Sequence, residues 1–328
     1  ARTALAAGCR TAAVALMHSY RNPAQERQVR EVLLAEGFSH VSCSSDLAAA
    51  IRILPRAETA VVDASLAPVV RTYLDRVAGA LPGSGLHVMT SAGGLVRPED
   101  YHPKDSLLSG PAGGVVGAAH AGRGAGYSRL LSFDMGGTST DVARFDGDYE
   151  YVFEHHIADA HLVAPALAIE SVAAGGSSEC WFDGDRIRVG PRSAGADPGP
   201  ACYGAGGPLT LTDVNLLLGR IEPSLFQIPI DGMAAEAALA GLMEQLQRAG
   251  RTGSRQDVLE GLLAIADERM ADAIRQVSLR RGYDPTEYAL VAFGGAGPQH
   301  ACGVASRLGV HKVVIPEDTG LLSADGLG

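Results

Sequence analysis

The spacing of apolar positions along the 328-residue chain changes several times, and each change marks a different kind of element. Residues 11–20, TAAVALMHSY, form an apolar run that predicts a strand. Asn22 and Pro23 suit the N-cap and first turn of a helix through Glu36, and Gly37 supplies its stop. A second helix fits residues 65–81, SLAPVVRTYLDRVAGAL, and GLHVMTSAGGL reads as a buried strand running into glycines. Alternation of this kind predicts α/β layering.

Residues 107–126, LLSGPAGGVVGAAHAGRGAG, carry mostly small side chains. A helix at 111–121 would pack its backbone closely against a neighbour, although each glycine weakens it by up to about 1 kcal/mol. An ordinary buried helix has the same composition. From residue 129 the pattern becomes strands joined by tight turns: RLLSFDM, TDVARF and YEYVFEHHI, predicting an antiparallel meander with Asp146-Gly147 as the turn between the last two. Asp183-Gly184 predicts another hairpin within CWFDGDRIRVG, and SAGADPGPACYGAGG reads as an ordered loop. Helical spacing then returns over 233–249 (Leu239, Leu242, Met243, Leu246) and 255–281 (Val258, Leu262, Ile265, Ile274). Ser254 and Asp257 form a capping-box pair for the longer helix, and Gly282 ends it. The last stretch reads as strand, glycine turn, helix from Pro298 to Gly309, and strand.

Length and a 46% hydrophobic content predict about two compact units. With 27 basic against 37 acidic side chains, the field repels nucleic acid and anionic membranes, so a phosphate would be held by local amides or a metal. Neither a charged leader nor a run of about 18 apolar residues occurs, which predicts a soluble chain that begins in mid-domain. Five widely spaced cysteines without a CxxC pair point to a reducing cytoplasm.

GxxxxGK[ST], GxGxxG, HExxH and GxSxG are all absent, which removes the usual anchors for Walker-type, dinucleotide-binding, zincin and serine-hydrolase readings. The stretch from Asp134 to Asp141, DMGGTSTD, offers something else. Gly136 and Gly137 let backbone amides approach a phosphate, while Thr138, Ser139 and Thr140 add hydroxyls. Carboxylates at both ends make sense if Mg²⁺ lies between them and the phosphate. A hairpin loop capped by Asp and Thr accounts for the same residues. Gly294, Gly295, Ala296 and Gly297 lie between an apolar strand and a helix, where unpaired amides and flat glycine backbone suit an adenosine. They equally suit close packing.

FDMGGTSTDV resembles the second phosphate motif of the actin, sugar kinase and Hsp70 superfamily, and FGGAGPQHA its adenosine motif. Together with LLSGPAGGVVGAA, VAAGG, SAGADPGPACYG, TDVNLLLGR and GLLSADGL, these stretches resemble the hydantoinase A and 5-oxoprolinase family, closest to its 5-oxoprolinase branch, from about residue 10 to 328. The resemblance implies an α/β, actin-like (ribonuclease H-like) ATPase fold. Residues 1–108 would be the rear part of lobe I, 109–124 a connecting helix, 125–319 lobe II, and 320–328 the start of a second connecting helix. A first Asp-Gly-Gly-Thr loop would precede Ala1, so little turnover is expected from these residues alone.

The implied activity is ATP-dependent opening of a cyclic amide such as 5-oxoproline or a hydantoin, by phosphoryl transfer to the carbonyl oxygen. A hydantoinase B-like subunit or domain is the expected partner, and a homo-oligomer is left open. ATP and Mg²⁺ are the implied cofactors. Asp134 and Asp141 would hold the metal and serve catalysis; Gly136, Gly137, Thr138, Ser139 and Thr140 would meet phosphate, Gly294, Gly295, Ala296 and Gly297 adenosine, and Gly175 and Gly176 would also bind the cofactor. A ketone carboxylase subunit and a non-catalytic actin-like nucleotide-binding module are the alternatives.

Ala168, Glu170 and Ser177 depart from the family pattern, as do Ala92 and Asp325. His155, His156 and His161 invite a metal reading, yet their spacing in an extended segment predicts rings pointing apart. His300 suits ligand contact or packing equally, and Asp213 suits a helix N-cap. Cys202 and Cys302 lack an activating neighbour, and Arg192 and Arg220 read as surface ion-pair partners.

Overall fold

A computed structural model describes residues 1–157, 160–226 and 228–327. It divides into two units, one made of residues 1–113 and 150–168 with Leu327, the other of 114–149 and 169–326. Gly328, the last residue of the expected second connecting helix, lies outside the described residues.

In the first unit the strands Thr11–Val14 and His40–Cys43 pair in parallel, joined by the helix Ala24–Glu36. Gly37 ends that helix in the left-handed region at φ 111°, where glycine carries no Cβ penalty. The helix expected over 65–81 begins earlier and runs Ile53–Ala80, with Pro68 in its interior. A fully buried charge network ties this unit together. Glu26 accepts from the Leu16 amide (2.7 Å), the Ser44 hydroxyl (2.7 Å) and the Ser45 amide (2.9 Å). Arg56 donates to the Ser19 hydroxyl (2.6 Å) and to the Leu16 (3.0 Å) and Met17 (3.2 Å) carbonyls.

Tyr151–Ile157 belongs to this unit as well and pairs with Ala160–Leu167. Here the structure departs from the expected meander. Asp146-Gly147 does make a hairpin, but only Asp148–Tyr149 pairs back onto Thr140–Asp146 before the chain leaves the sheet. The edge beside Thr140–Asp146 is taken instead by Ile169–Val172.

The second unit is built on a mixed sheet. Its order runs Ile169–Val172, Thr140–Asp146, Arg129–Met135, Ala289–Phe293, Val313–Val314. The first two junctions are antiparallel and the last two parallel. Period-two alternation along Arg129–Met135 separates two cores. Leu131, Phe133 and Met135 face a large cluster that includes Leu259, Leu262, Met270 and Ile274 of the helix Arg255–Val277. Leu130 faces a smaller one with Ala118, Ala119, Val291, Phe293 and Leu322.

The small residues of Ser109–Gly124 have a packing reason within this unit. A Cβ on Gly117 would overlap the Leu322 carbonyl, and one on Gly122 would sit 2.5 Å from the Leu130 methyls. Among the described residues no helix is long and apolar enough to cross a membrane.

Candidate active site

Sheet register brings the two carboxylates of the DMGGTSTD stretch face to face. Asp134 pairs with Asp141 across the antiparallel strands, Ser171 pairs with Asp141 on the far side, and Phe293 pairs with Asp134 on the near side. Directly opposed residues share a face, so the two carboxyl groups lie in one cross-strand row. Burial and the neighbouring Asp141 charge push the Asp134 carboxyl up to about 6. Burial also raises Asp141, against a hydrogen bond from Ser171.

The Ser323 hydroxyl donates to Asp134 Oδ2 at 3.3 Å, and among the described residues no Lys or Arg pairs with either carboxylate. Space around Asp134 depends on glycine: a Cβ on Gly114 would lie 3.1 Å from Asp134 Oδ2 and Ser323 Oγ, and one on Gly294 (φ 77°) would overlap Asp134 Oδ1. Two half-buried carboxylates without a cationic partner fit a divalent cation that takes its remaining ligands from water and phosphate. No cluster of three or more His, Cys, Asp or Glu side chains among the described residues would hold a metal unaided.

Between the carboxylates, residues 136–139 make a tight turn closed by the Gly136 amide on the Ser139 carbonyl at 3.1 Å. Two segments are tied to this turn directly, and a third through one of them. The Ala296 amide donates to Met135 O (2.9 Å), the Gly176 amide to Gly136 O (3.0 Å) and the Ser177 amide to Gly137 O (2.6 Å). Thr212 donates to Gly176 O through its amide (2.8 Å) and its hydroxyl (2.9 Å). The carbonyls of the turn therefore face the protein. The exposed amides of Gly137, Thr138 and Gly295 bond to no protein group among the described residues. A cavity of about 170 Å³ opens beside them, lined by Gly136, Gly137, Gly176, Ser177, Gly295 and Ala296 and closed by Tyr203, Ile221 and Phe226. Free amides on a glycine turn next to a cavity of mixed polar and aromatic lining suit an anionic ligand with a flat apolar part.

Residues 56–328 match the family model described as hydantoinase/oxoprolinase. The chain belongs to that family. It is 42% identical to 5-oxoprolinase 1 of Arabidopsis thaliana over 96% of its own length and 26% of that protein. The ATP-dependent caprolactamase from Pseudomonas jessenii superposes with a TM-score of 0.83 at 29% identity, over 99% of this chain and 48% of that one. Acetone carboxylase, in a nucleotide-free structure, gives the same TM-score and coverage at 28% identity. The chain thus spans about a quarter of the length of the 5-oxoprolinases it matches in plants and fungi. Its α/β fold is the one these solved relatives share.

Within this hydantoinase/oxoprolinase-family chain, not every residue singled out from sequence faces the cavity. Thr140 is fully buried and its hydroxyl donates to Ala174 O at 2.5 Å, so it braces the strand end and offers a ligand no side-chain donor. Gly175 lies behind the turn, where a Cβ would be 2.6 Å from Gly137 C and O. Gly294 makes room for Asp134, and Gly297 packs against the backbone of Phe133 and Met135. Gly136, Gly137, Gly176, Gly295 and Ala296 line the cavity, while Asp134 and Asp141 flank the turn and do not.

Tyr203, Thr212, Ile221, Phe226 and Gln299 were not identified from sequence, although aromatics beside glycine-rich loops were a usable signal. Asp213 is a loop organiser at the third position of its helix, accepting from the amides of Cys202 (2.7 Å), Thr210 (2.7 Å) and Ala201 (3.1 Å). His300 is fully buried between Asp267 (2.7 Å) and Asn215 (3.0 Å), which makes its role packing. Arg192 pairs with Glu179 at 3.2 Å, whereas Arg220 donates to the Gln299 carbonyl at 2.9 Å. In the first unit, strand pairing sets His156 opposite His161 and stacks their rings 4.6 Å apart, against the expectation that they diverge.

Proposed function

We propose that this chain is the nucleotide-handling part of an ATP-dependent cyclic-amide hydrolase of the 5-oxoprolinase type. The observation that carries the reading is the turn at 136–139, whose unbonded amides lie between two raised carboxylates and open onto the cavity lined by Tyr203 and Phe226. The names of the matched relatives, a 5-oxoprolinase and an ATP-dependent caprolactamase, support a cyclic amide as substrate.

In this reading the amides of Gly137 and Thr138 and the hydroxyls of Thr138 and Ser139 hold the β- and γ-phosphates. Gly295 and Ala296 lie along the adenosine, and Tyr203 and Phe226 enclose its base. Asp134 and Asp141 would hold Mg²⁺, which when bound supplies charge neutralisation to the phosphates. Ser323 keeps the Asp134 carboxylate oriented, and the glycines around it exclude competing side chains. Phosphoryl transfer depends mainly on such positioning, so no strong general base is required of this unit. Phosphorylation of the amide oxygen would make the ring carbon open to water. A hydantoinase B-like subunit or domain would complete the hydrolysis in the cytoplasm.

Acetone carboxylase among the superposed structures supports a second reading, activation of a ketone for carboxylation. Product analysis on the full-length protein with ATP and 5-oxoproline, a hydantoin, or a ketone plus bicarbonate separates the two. The primary reading expects ring opening that is lost in Asp134→Ala. Carboxylated ketone without ring opening would replace it, and ATP-independent ring opening would refute it.

A further inference from the structure

Ser177 is the polar side chain of the cavity whose placement the nucleotide reading leaves unexplained. It is 7% exposed, and its amide is locked to Gly137 O at 2.6 Å. Its hydroxyl makes no hydrogen bond to protein among the described residues and lines the cavity. That hydroxyl lies 3.5 Å from the point where a Cβ on Gly137 would be, so it stands directly beside the unbonded amides of the turn. The hydroxyl opens onto the cavity with no protein partner, so it is free to bond a ligand held there.

Neighbouring hydroxyls behave differently. Thr140 is spent on Ala174 O, Thr212 on Gly176 O and Ser178 on the Gly175 amide.

We infer that Ser177 is a binding residue for a nucleoside di- or triphosphate, its hydroxyl donating to a phosphate oxygen held over Gly137. The assignment rests on the nucleotide reading of the cavity. It predicts that the side chain discriminates between phosphorylated and unphosphorylated ligands, because the turn lies beside it and the aromatic end of the cavity does not include it.

The test is titration calorimetry of ATP, ADP and adenosine into the full-length protein and its Ser177→Ala and Ser177→Gly variants, with folding checked by circular dichroism. Loss of one hydrogen bond to a charged oxygen predicts about tenfold weaker ATP and ADP binding in both variants, with adenosine unchanged. Two variants of different bulk guard against a local packing effect in either. Wild-type affinity for ATP in both variants, or an equal loss for adenosine, overturns the inference while leaving the nucleotide site intact. A wild-type protein that binds neither ATP nor ADP overturns the nucleotide reading itself and this assignment with it.

Discussion

Gly175→Ala tests whether the position of the glycine turn, more than its composition, is what the surrounding structure exists to set. The new methyl would lie 2.6 Å from Gly137 C and O and 2.7 Å from Thr138 C, all backbone atoms. Ordinary carbon contacts begin near 3.5 Å, so the turn must retreat by about 1 Å or the strand behind it must move. Gly175 has no positive φ, so strain comes from contact alone.

Overpacking of this kind costs about 1–3 kcal/mol of stability. A displacement of about 1 Å in a group that positions reacting atoms lowers turnover by on the order of a hundredfold. Gly241→Ala is the control. It lies in the helix Gly232–Arg248 with nothing within 4 Å of its would-be Cβ, and it should stabilise by about 0.5–1 kcal/mol with activity unchanged. Denaturant unfolding and ATP-dependent turnover of the full-length protein measure both effects. Wild-type turnover and ATP affinity in Gly175→Ala would refute the view that this glycine sets the turn.

Four further outcomes are expected. Asp134 has a folded-state pKa near 6 against an ordinary 3.8, so the folded state binds more protons between those values and stability falls as pH rises through that window; Asp134→Asn should flatten this part of the unfolding profile and stabilise the ligand-free protein at pH 7 by up to about 3 kcal/mol while abolishing turnover. In the first unit, burial opposes the charge on Glu26, yet hydrogen bonds from the Ser45 and Leu16 amides and serine hydroxyls hold its carboxyl at about 2, so its contribution is complete above the ordinary carboxylate range and is lost as pH falls towards 2. Arg56→Met, which leaves Glu26 buried without its cation, should cost about 3–5 kcal/mol in urea unfolding, and adding Glu26→Gln should recover part of it. Gly117→Ala, which drives a methyl into the Leu322 carbonyl, should lower the thermal midpoint by several degrees with thermal scanning as the readout, whereas Gly110→Ala, with open space around it, should not.

Local signals carried most of the element assignments. Helix limits at Gly37 and Gly309 follow from left-handed backbone that glycine adopts without a Cβ clash, and the Ser254–Asp257 pair marks a helix start in the chain and in the fold alike. The helix that begins there stops at Val277, short of the expected 281, and left-handed Gly282 closes the 3-10 turn Leu279–Arg281 that follows. The family, the α/β class and the glycine segments of the cavity wall were legible because short motifs with their own backbone requirements keep their order along the chain, whereas its other wall, Tyr203, Ile221 and Phe226, was not. Pairing between distant strands was not. Local spacing does not encode which distant strand pairs beside Thr140–Asp146: Ile169–Val172 takes that edge, while Tyr151–Ile157 pairs in another sheet and sets His156 against His161. Tertiary structure also divided the glycines into those that line the cavity, Gly136, Gly137, Gly176 and Gly295, and those that give way to a neighbour, Gly175 to the turn and Gly294 to Asp134. A glycine signals in sequence only that a side chain is unwanted; what would have collided with it is a property of the packed fold.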